Sequence, residues 1–241
     1  MQTDIDEIGD GIYRFSTYIA AANLRFNQFL IDADEPLLFH CGLRRMFPQV
    51  SGAVSRVLPL EKLGWISFGH FEADESGSMN EWLAVAPHAR IATGNIGGMV
   101  SIMDQADREP RVLAHEEVLD LGNRRIRYLD TPHLPHGWDA GVIYEETTGT
   151  LFCGDLFTQN GNGPARTESE VVTAALQAED RYRATALTPM TASLVRKLAD
   201  LSPKMLALMH GPAFQGDGAV ELRALADGLE QRFQTALQAA S

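Results

Sequence analysis

Ser67-Phe68-Gly69-His70-Phe71-Glu72-Ala73-Asp74-Glu75-Ser76-Gly77-Ser78 follows directly on the apolar pair Trp65-Ile66 and sets one imidazole and two carboxylates at i, i+2 and i+4. A helix would spread that spacing around its circumference, whereas an extended or looped backbone at a strand end turns alternate side chains to one side. The stretch therefore predicts a metal-capable loop at a strand edge. Just beyond it, Ser78-Met79-Asn80-Glu81 has the Ser-x-x-Glu form of a capping box ahead of Trp82, Leu83 and Val85, and Pro87 closes the helix so begun. A loop mounted between a buried strand and a capped helix can hold donors in fixed orientation.

Outward from the loop, short apolar runs predict strands at residues 11–16, 24–31 and 36–40, the last two joined as a hairpin by Asp32-Ala33-Asp34-Glu35-Pro36. His40 ends the third run and reads as a packed structural histidine. Val50, Val54 and Val57 mark a helix over residues 48–58. Residues 89–93 read as a strand, and Gly94-Asn95-Ile96-Gly97-Gly98 as a turn, because its glycines lack the spacing of a nucleotide-binding loop. Strands follow at 112–113, 118–119 and 124–129, then a hairpin of 142–144 with 151–153. Gly161-Asn162-Gly163 has Arg166 where a dinucleotide fingerprint needs its last glycine. Thr167-Glu168-Ser169-Glu170 predicts a second capping box opening helical sequence to about residue 201, broken near Thr188-Pro189. A buried strand at 205–209 and an amphipathic helix over 219–239, striped by Leu222, Leu225, Leu229 and Phe233, complete the chain.

Composition narrows the partners. With 241 residues and 45% hydrophobic content the chain can bury a sizeable core, and residues 1–241 read as a single domain. A formal net charge of −12 opposes binding to phosphate backbones and anionic membranes, so neither nucleic acid nor a membrane is an expected partner. The acidic N-terminus lacks the pattern of a secretory signal, and no run approaches the roughly 18 apolar residues of a membrane span. Cys41 and Cys153 are too few and too far apart for a disulfide framework or a thiolate zinc site, which points to a reducing cytoplasm.

Four strand ends carry a metal-capable residue just past an apolar run: His70 with Glu72 and Asp74, His136, Asp155, and His210. In sheets flanked by helices, the carboxyl ends of strands are where sites collect.

With those residues in place the chain resembles the metallo-beta-lactamase fold, and within it the branch of flavodiiron and oxygen-binding diiron proteins. The general signature of the fold is His-x-His-x-Asp-His, a later His, a bridging Asp and a final His. Here the loop reads His70-x-Glu72-x-Asp74-Glu75, and glutamate in place of the second histidine marks the diiron branch. The resemblance covers essentially the whole chain and implies an α/β fold, a four-layer αββα sandwich.

It further implies that His70, Glu72 and His136 hold a first iron, Asp74 and His210 a second, with Asp155 bridging. Asp155 and Glu72 would then be the residues closest to the chemistry. His133 competes with His136, which is preferred because the eighteen residues between it and Asp155 agree with the family spacing, and because His136-Gly137-Trp138-Asp139 resembles the family's His-Trp-Pro-Asp. Glu75 departs from the histidine of most relatives, so the second metal would lack a nitrogen donor or take a carboxylate or water. Glu75, His133 and Asp139 remain candidates for supporting the ligands.

Glu72, Asp74 and Asp155 bring three negative charges, and hard carboxylate oxygens suit iron or manganese better than zinc. The implied function is a non-haem diiron protein that binds or reduces dioxygen or nitric oxide, as a sensor that binds it or as a reductase fed by an external electron donor. No flavin site is evident in the chain. A homodimer is the family-level expectation. The alternative is a dizinc hydrolase of the same fold acting on an ester, thioester, lactam or phosphoester.

Overall fold

The computed structural model describes residues 2–239; Met1, Ala240 and Ser241, which the expected domain span of 1–241 includes, lie outside the described residues. The chain opens with an antiparallel meander of β1 (Thr3–Gly9), β2 (Ile12–Ile19), β3 (Leu24–Ile31) and β4 (Leu37–Phe39). β1 escaped the sequence reading because its cross-strand matches are ionic: Asp6 faces Arg14 at 3.2 Å and Asp4 pairs with Arg25 at 3.0 Å. The hairpin expected at residues 32–36 is present, with Ile31 paired to Leu37.

After α1 (Phe47–Val54), the sheet turns parallel: β5 (Trp65–Ser67) lies between β4 and β6 (Arg90–Gly94), and β7 (Arg111–Leu113) closes the row. The second sheet, also seven-stranded, runs β12-β14-β13-β11-β10-β9-β8. Its strands are β8 (Val118–Asp120), β9 (Arg125–Asp130), β10 (Gly141–Glu145), β11 (Thr150–Phe152), β12 (Arg166–Thr167), β13 (Met205–Ala207) and β14 (Ala213–Gln215).

Strand alternation decides which face each residue fills. Along β3, Phe29 and Ile31 point between the sheets while Leu30 points to the outer helices. Phe29 and Phe39 of the first sheet both meet Phe152 of the second with ring centroids 5.5 Å apart, so the inner faces interlock through aromatic contacts. The outer face of the first sheet is covered by α1 and α3 (Met79–Val85) through Val50, Val54, Trp82 and Leu83. The other outer face is covered by α6 (Val172–Tyr182), α7 (Thr191–Ala199) and α8 (Gly218–Ala239) through Ala175, Val195, Leu222, Leu225 and Leu229. These are the four layers of the αββα sandwich. No helix among the described residues is long and apolar enough to cross a membrane.

Several local expectations are corrected. α3 starts at Met79 as expected, but Ser78 Oγ donates to Cys41 O (2.7 Å) in place of capping, and Trp82 Nε1 donates to the same carbonyl (2.9 Å). Ser78 thus ties the helix to the end of β4, while Glu81 pairs with Arg44. Residues 94–98 are not a simple turn: α4 (Asn95–Gly97) continues through a π-helical turn (Gly98–Ile102) into α5 (Met103–Gln105). The glycines answer crowding, since a Cβ on Gly94 would collide with Tyr128 Oη and one on Gly98 would lie 3.0 Å from Val112 Cγ2. Thr167 belongs to β12, and it is Glu170 that accepts from Thr173 N (2.9 Å) at the start of α6. The helical sequence does break where expected, over residues 183–190 that include Thr188-Pro189, and the break opens at the left-handed Arg183 (φ 52°).

Candidate metal centre

His70 stands three residues beyond β5, in a loop fastened from both sheets. Gly69 O accepts from Gly141 N at the start of β10 (2.8 Å), and Asp139 Oδ2 accepts from Phe71 N (2.9 Å). Glu72 is extended (φ −137°, ψ 157°) and immediately precedes the single turn α2 (Ala73–Ser76), where its carbonyl accepts from Ser76 N (2.8 Å) and Ser76 Oγ (2.8 Å). Asp74 accordingly sits in a helical first turn. The extended backbone reaches only as far as Glu72.

The second sheet supplies the opposing side chains. His136 lies in the loop between β9 and β10, shaped by His133 N donating to Gly137 O (2.7 Å) and by Gly137 at φ +78°. Asp155 follows β11 after Gly154, whose φ of +53° is the left-handed turn that swings the carboxylate off the strand line. His210 follows β13, and β3 of the first sheet fixes its loop. Asn27 Nδ2 donates to Leu208 O (2.7 Å) and Gly211 O (2.9 Å), and Arg25 O accepts from His210 Nδ1 (2.7 Å). That bond places the proton on Nδ1 and leaves Nε2 facing the pocket.

Among the described residues, His70, Glu72, His136 and Asp155 present nitrogen and oxygen atoms all within 4.8 Å of one another. Glu72 Oε2 lies 2.9 Å from His70 Nε2 and 3.1 Å from His136 Nε2. Asp155 Oδ2 is 3.5 Å from His136 Nε2, and its Oδ1 is 3.3 Å from His210 Nε2, which is also 3.3 Å from Asp74 Oδ2. One carboxylate thus touches both groups, a different oxygen toward each.

Electrostatics and donor chemistry both fit a divalent pair. Burial opposes protonation of His70, but the charge of Glu75 and the hydrogen bonds of Glu72 and Glu75 outweigh it and push the ring up to about 11. Burial opposes protonation of His210 likewise, yet its contacts with Asp155 and Asp74 raise it to about 10. His136 is raised chiefly by its hydrogen bond to Glu72, and Glu72 is held well below the carboxylate range by His136 and His70. A pocket that draws protons so strongly is one a dication would enter by displacing them, since imidazole ligates unprotonated. Asp155 Oδ1 is buried without a well-aligned hydrogen-bond partner, as a bridging oxygen would be.

All six expected ligand residues therefore gather at one end of the sandwich. The supporting candidates divide. Asp139 holds the loop backbone at Phe71, Glu75 packs behind His70, and His133 is exposed, with φ +64°, and stands outside the group. His133 fails as a support because its loop turns at that residue, sending its side chain out while His136 enters. His40, at φ +69° and fully buried, is a packed histidine, as expected, with its ring centroid 4.2 Å from that of Phe39. Its position beside Glu75 carried no sequence signal, because the two residues lie in different loops.

A family model described as ODP family beta lactamase matches residues 24–211. The rubredoxin-oxygen oxidoreductase of Megalodesulfovibrio gigas is 23% identical over 199 residues, covering 79% of this chain and 49% of that protein. The anaerobic nitric oxide reductase flavorubredoxin of Salmonella arizonae is 25% identical over 195 residues, covering 77% of this chain and 40% of that protein. Among solved structures, the metal-soaked Flv1 flavodiiron core from Synechocystis superposes with a TM-score of 0.77 at 21% identity, over 97% of this chain and 61% of that one. The chain spans about half the length, or less, of these curated relatives.

Proposed function

Because the chain belongs to the ODP family of beta-lactamase-like proteins, we propose that it is a non-haem diiron protein that binds and reduces dioxygen or nitric oxide, drawing electrons from an external donor. The observation that carries this reading is the carboxylate Glu72, set within 3.1 Å of two imidazole nitrogens at the position where a zinc hydrolase of this fold has a third imidazole. Oxygen donors favour iron over a nitrogen-rich zinc set. The relatives named for oxygen and nitric oxide reduction point the same way.

His70, Glu72, His136 and Asp155 would hold one iron, and Asp74, His210 and Asp155 the other. A ferrous pair supplies electrons to a small diatomic oxidant, and complete reduction of dioxygen needs more electrons than the pair holds, hence the donor. The side chains have three tasks. Glu72, Asp74 and Asp155 would offset cationic charge, Asp155 presents one oxygen toward His136 and the other toward His210 and so would serve both ions, and Arg25 O holds the proton of His210 on Nδ1.

Anaerobic purification followed by counting iron and zinc per chain, then addition of oxygen while the visible spectrum is recorded, tests the reading. Two irons and a new absorption band on oxygenation are expected. Two zincs, turnover of an ester or thioester and no spectral response to oxygen would replace it with the hydrolase.

A further inference from the structure

Glu75 is adjacent to Asp74 in sequence, so a carboxylate contribution to the second cation was a natural expectation. Its side chain goes elsewhere. It is fully buried, with Oε2 accepting from Gly69 N (2.6 Å) and His70 N (2.9 Å), and with Oε1 lying 3.3 Å from His70 Nδ1 and 3.5 Å from His40 Nε2. Gly69 and Gly154 line the same cradle: a Cβ on either would come within 3.0 Å and 3.4 Å of the carboxylate. The Glu75 carbonyl meanwhile accepts from Cys41 N (2.5 Å), which anchors the residue to the strand end that carries His40. His40 is itself immobilised, its ring against Phe39 and its Nδ1 3.3 Å from Asn27 O.

We propose that Glu75 is a positioning residue for His70, with His40 as its buried counterpart, and that it is not a donor to the cation held by Asp74 and His210. The inference rests on the metal reading of the site, though not on the identity of the metal or oxidant. A carboxylate taken out of water is costly unless donors surround it. Two backbone N–H groups donate to Oε2 here, while Oε1 has no well-aligned hydrogen bond and instead lies 3.3 Å from His70 Nδ1 and 3.5 Å from His40 Nε2, close enough for charge to hold it beside both rings. An acceptor at Nδ1 fixes the ring's tautomer and turn, leaves Nε2 as the ligating atom, and strengthens it as a donor. The same carboxylate clamps the backbone on which His70 is mounted. Glutamine has the shape of glutamate but only one accepting oxygen. Glu75→Gln would therefore set an NH2 group against either the backbone N–H pair or the ring N–H.

The test uses the cobalt(II)-loaded chain, with proton NMR of the paramagnetically shifted ring N–H signals and a chelator competition for each cobalt ion. In the cobalt-loaded wild type, the Nδ1–H protons of His70 and His210 should resist exchange with solvent, since Glu75 Oε1 stands 3.3 Å from the first and Arg25 O accepts the second. That of His136, which has no partner, should not. Glu75→Gln should move the His70 signal, leave the His210 signal in place, and weaken one cobalt ion by roughly ten- to a hundredfold. If the variant instead weakens the ion bound by His210 with the His70 signal unmoved, Glu75 is a ligand and the proposal is overturned. Rapid exchange of the His70 ring proton in the wild type overturns it whether or not the variant folds. A wild-type chain that takes up no cobalt refutes the metal reading beneath it.

Discussion

Asp155→Asn isolates the group that touches both halves of the site. The imidazole nitrogens around the Asp155 carboxylate lie 3.3 to 3.9 Å from its oxygens, so a cation among them would sit no more than about 4 Å away. At that distance and an effective dielectric of about 20, one negative charge is worth about 4 kcal/mol per unit of cation charge, or about 8 kcal/mol to a dication as an upper bound. The side chain is only 12% exposed, so solvent screening removes little of this. The amide still offers one oxygen, which brings the expected loss to roughly a hundred- to a thousandfold. Both cations should weaken together. Anaerobic competition against a chromophoric chelator, with Fe(II) or Co(II), reads the two affinities separately. If Asp155→Asn keeps one cation at wild-type affinity and loses only the other, Asp155 is not shared and the two-ion arrangement fails.

Glu72→His replaces the carboxylate held as for iron, and protein produced with equal iron and zinc should shift toward zinc and lose its optical response to oxygen; an unchanged metal ratio argues against carboxylate tuning. Gly94→Ala would drive a methyl group into Tyr128 Oη inside the sandwich, and should cost about 1–3 kcal/mol, seen as a lower denaturation midpoint at unchanged slope and partly restored by Tyr128→Phe. An unaltered midpoint contradicts the packing account. Cys41 and Cys153 are buried, and burial raises both thiols, so native protein should resist a thiol reagent and release two labelled sites only in denaturant. Labelling of the folded chain at the rate of a free thiol would disprove that.

What could be read from the sequence was whatever local pattern decides. The three donors on the 67–78 loop are neighbours along the chain, and β3, α1 and α8 announce themselves by apolar spacing. The gathering of His136, Asp155 and His210 could be suspected from their strand-end positions, but the distances depend on loop turns at Gly137 and Gly154. Residues that act across the fold stayed hidden. His40 and Glu75 lie 35 positions apart in the chain, and the charge pairs that make β1 a strand resemble a solvated acidic tail. The capping boxes misled because Ser78 found a tertiary acceptor at Cys41 and Thr167 was taken up by a strand. In each case a long-range contact outcompeted the local motif.

The loop after β5 carries His70, Glu72 and Asp74, while the loops after β9, β11 and β13 carry His136, Asp155 and His210, so each sheet brings half of the donors. Neither half-molecule alone would own the full ligand set. Ion capture would then become a readout of whether the halves have closed on each other, and an ion that recognised only the closed form would act as a rivet across the seam, resisting its opening in proportion to the logarithm of its affinity.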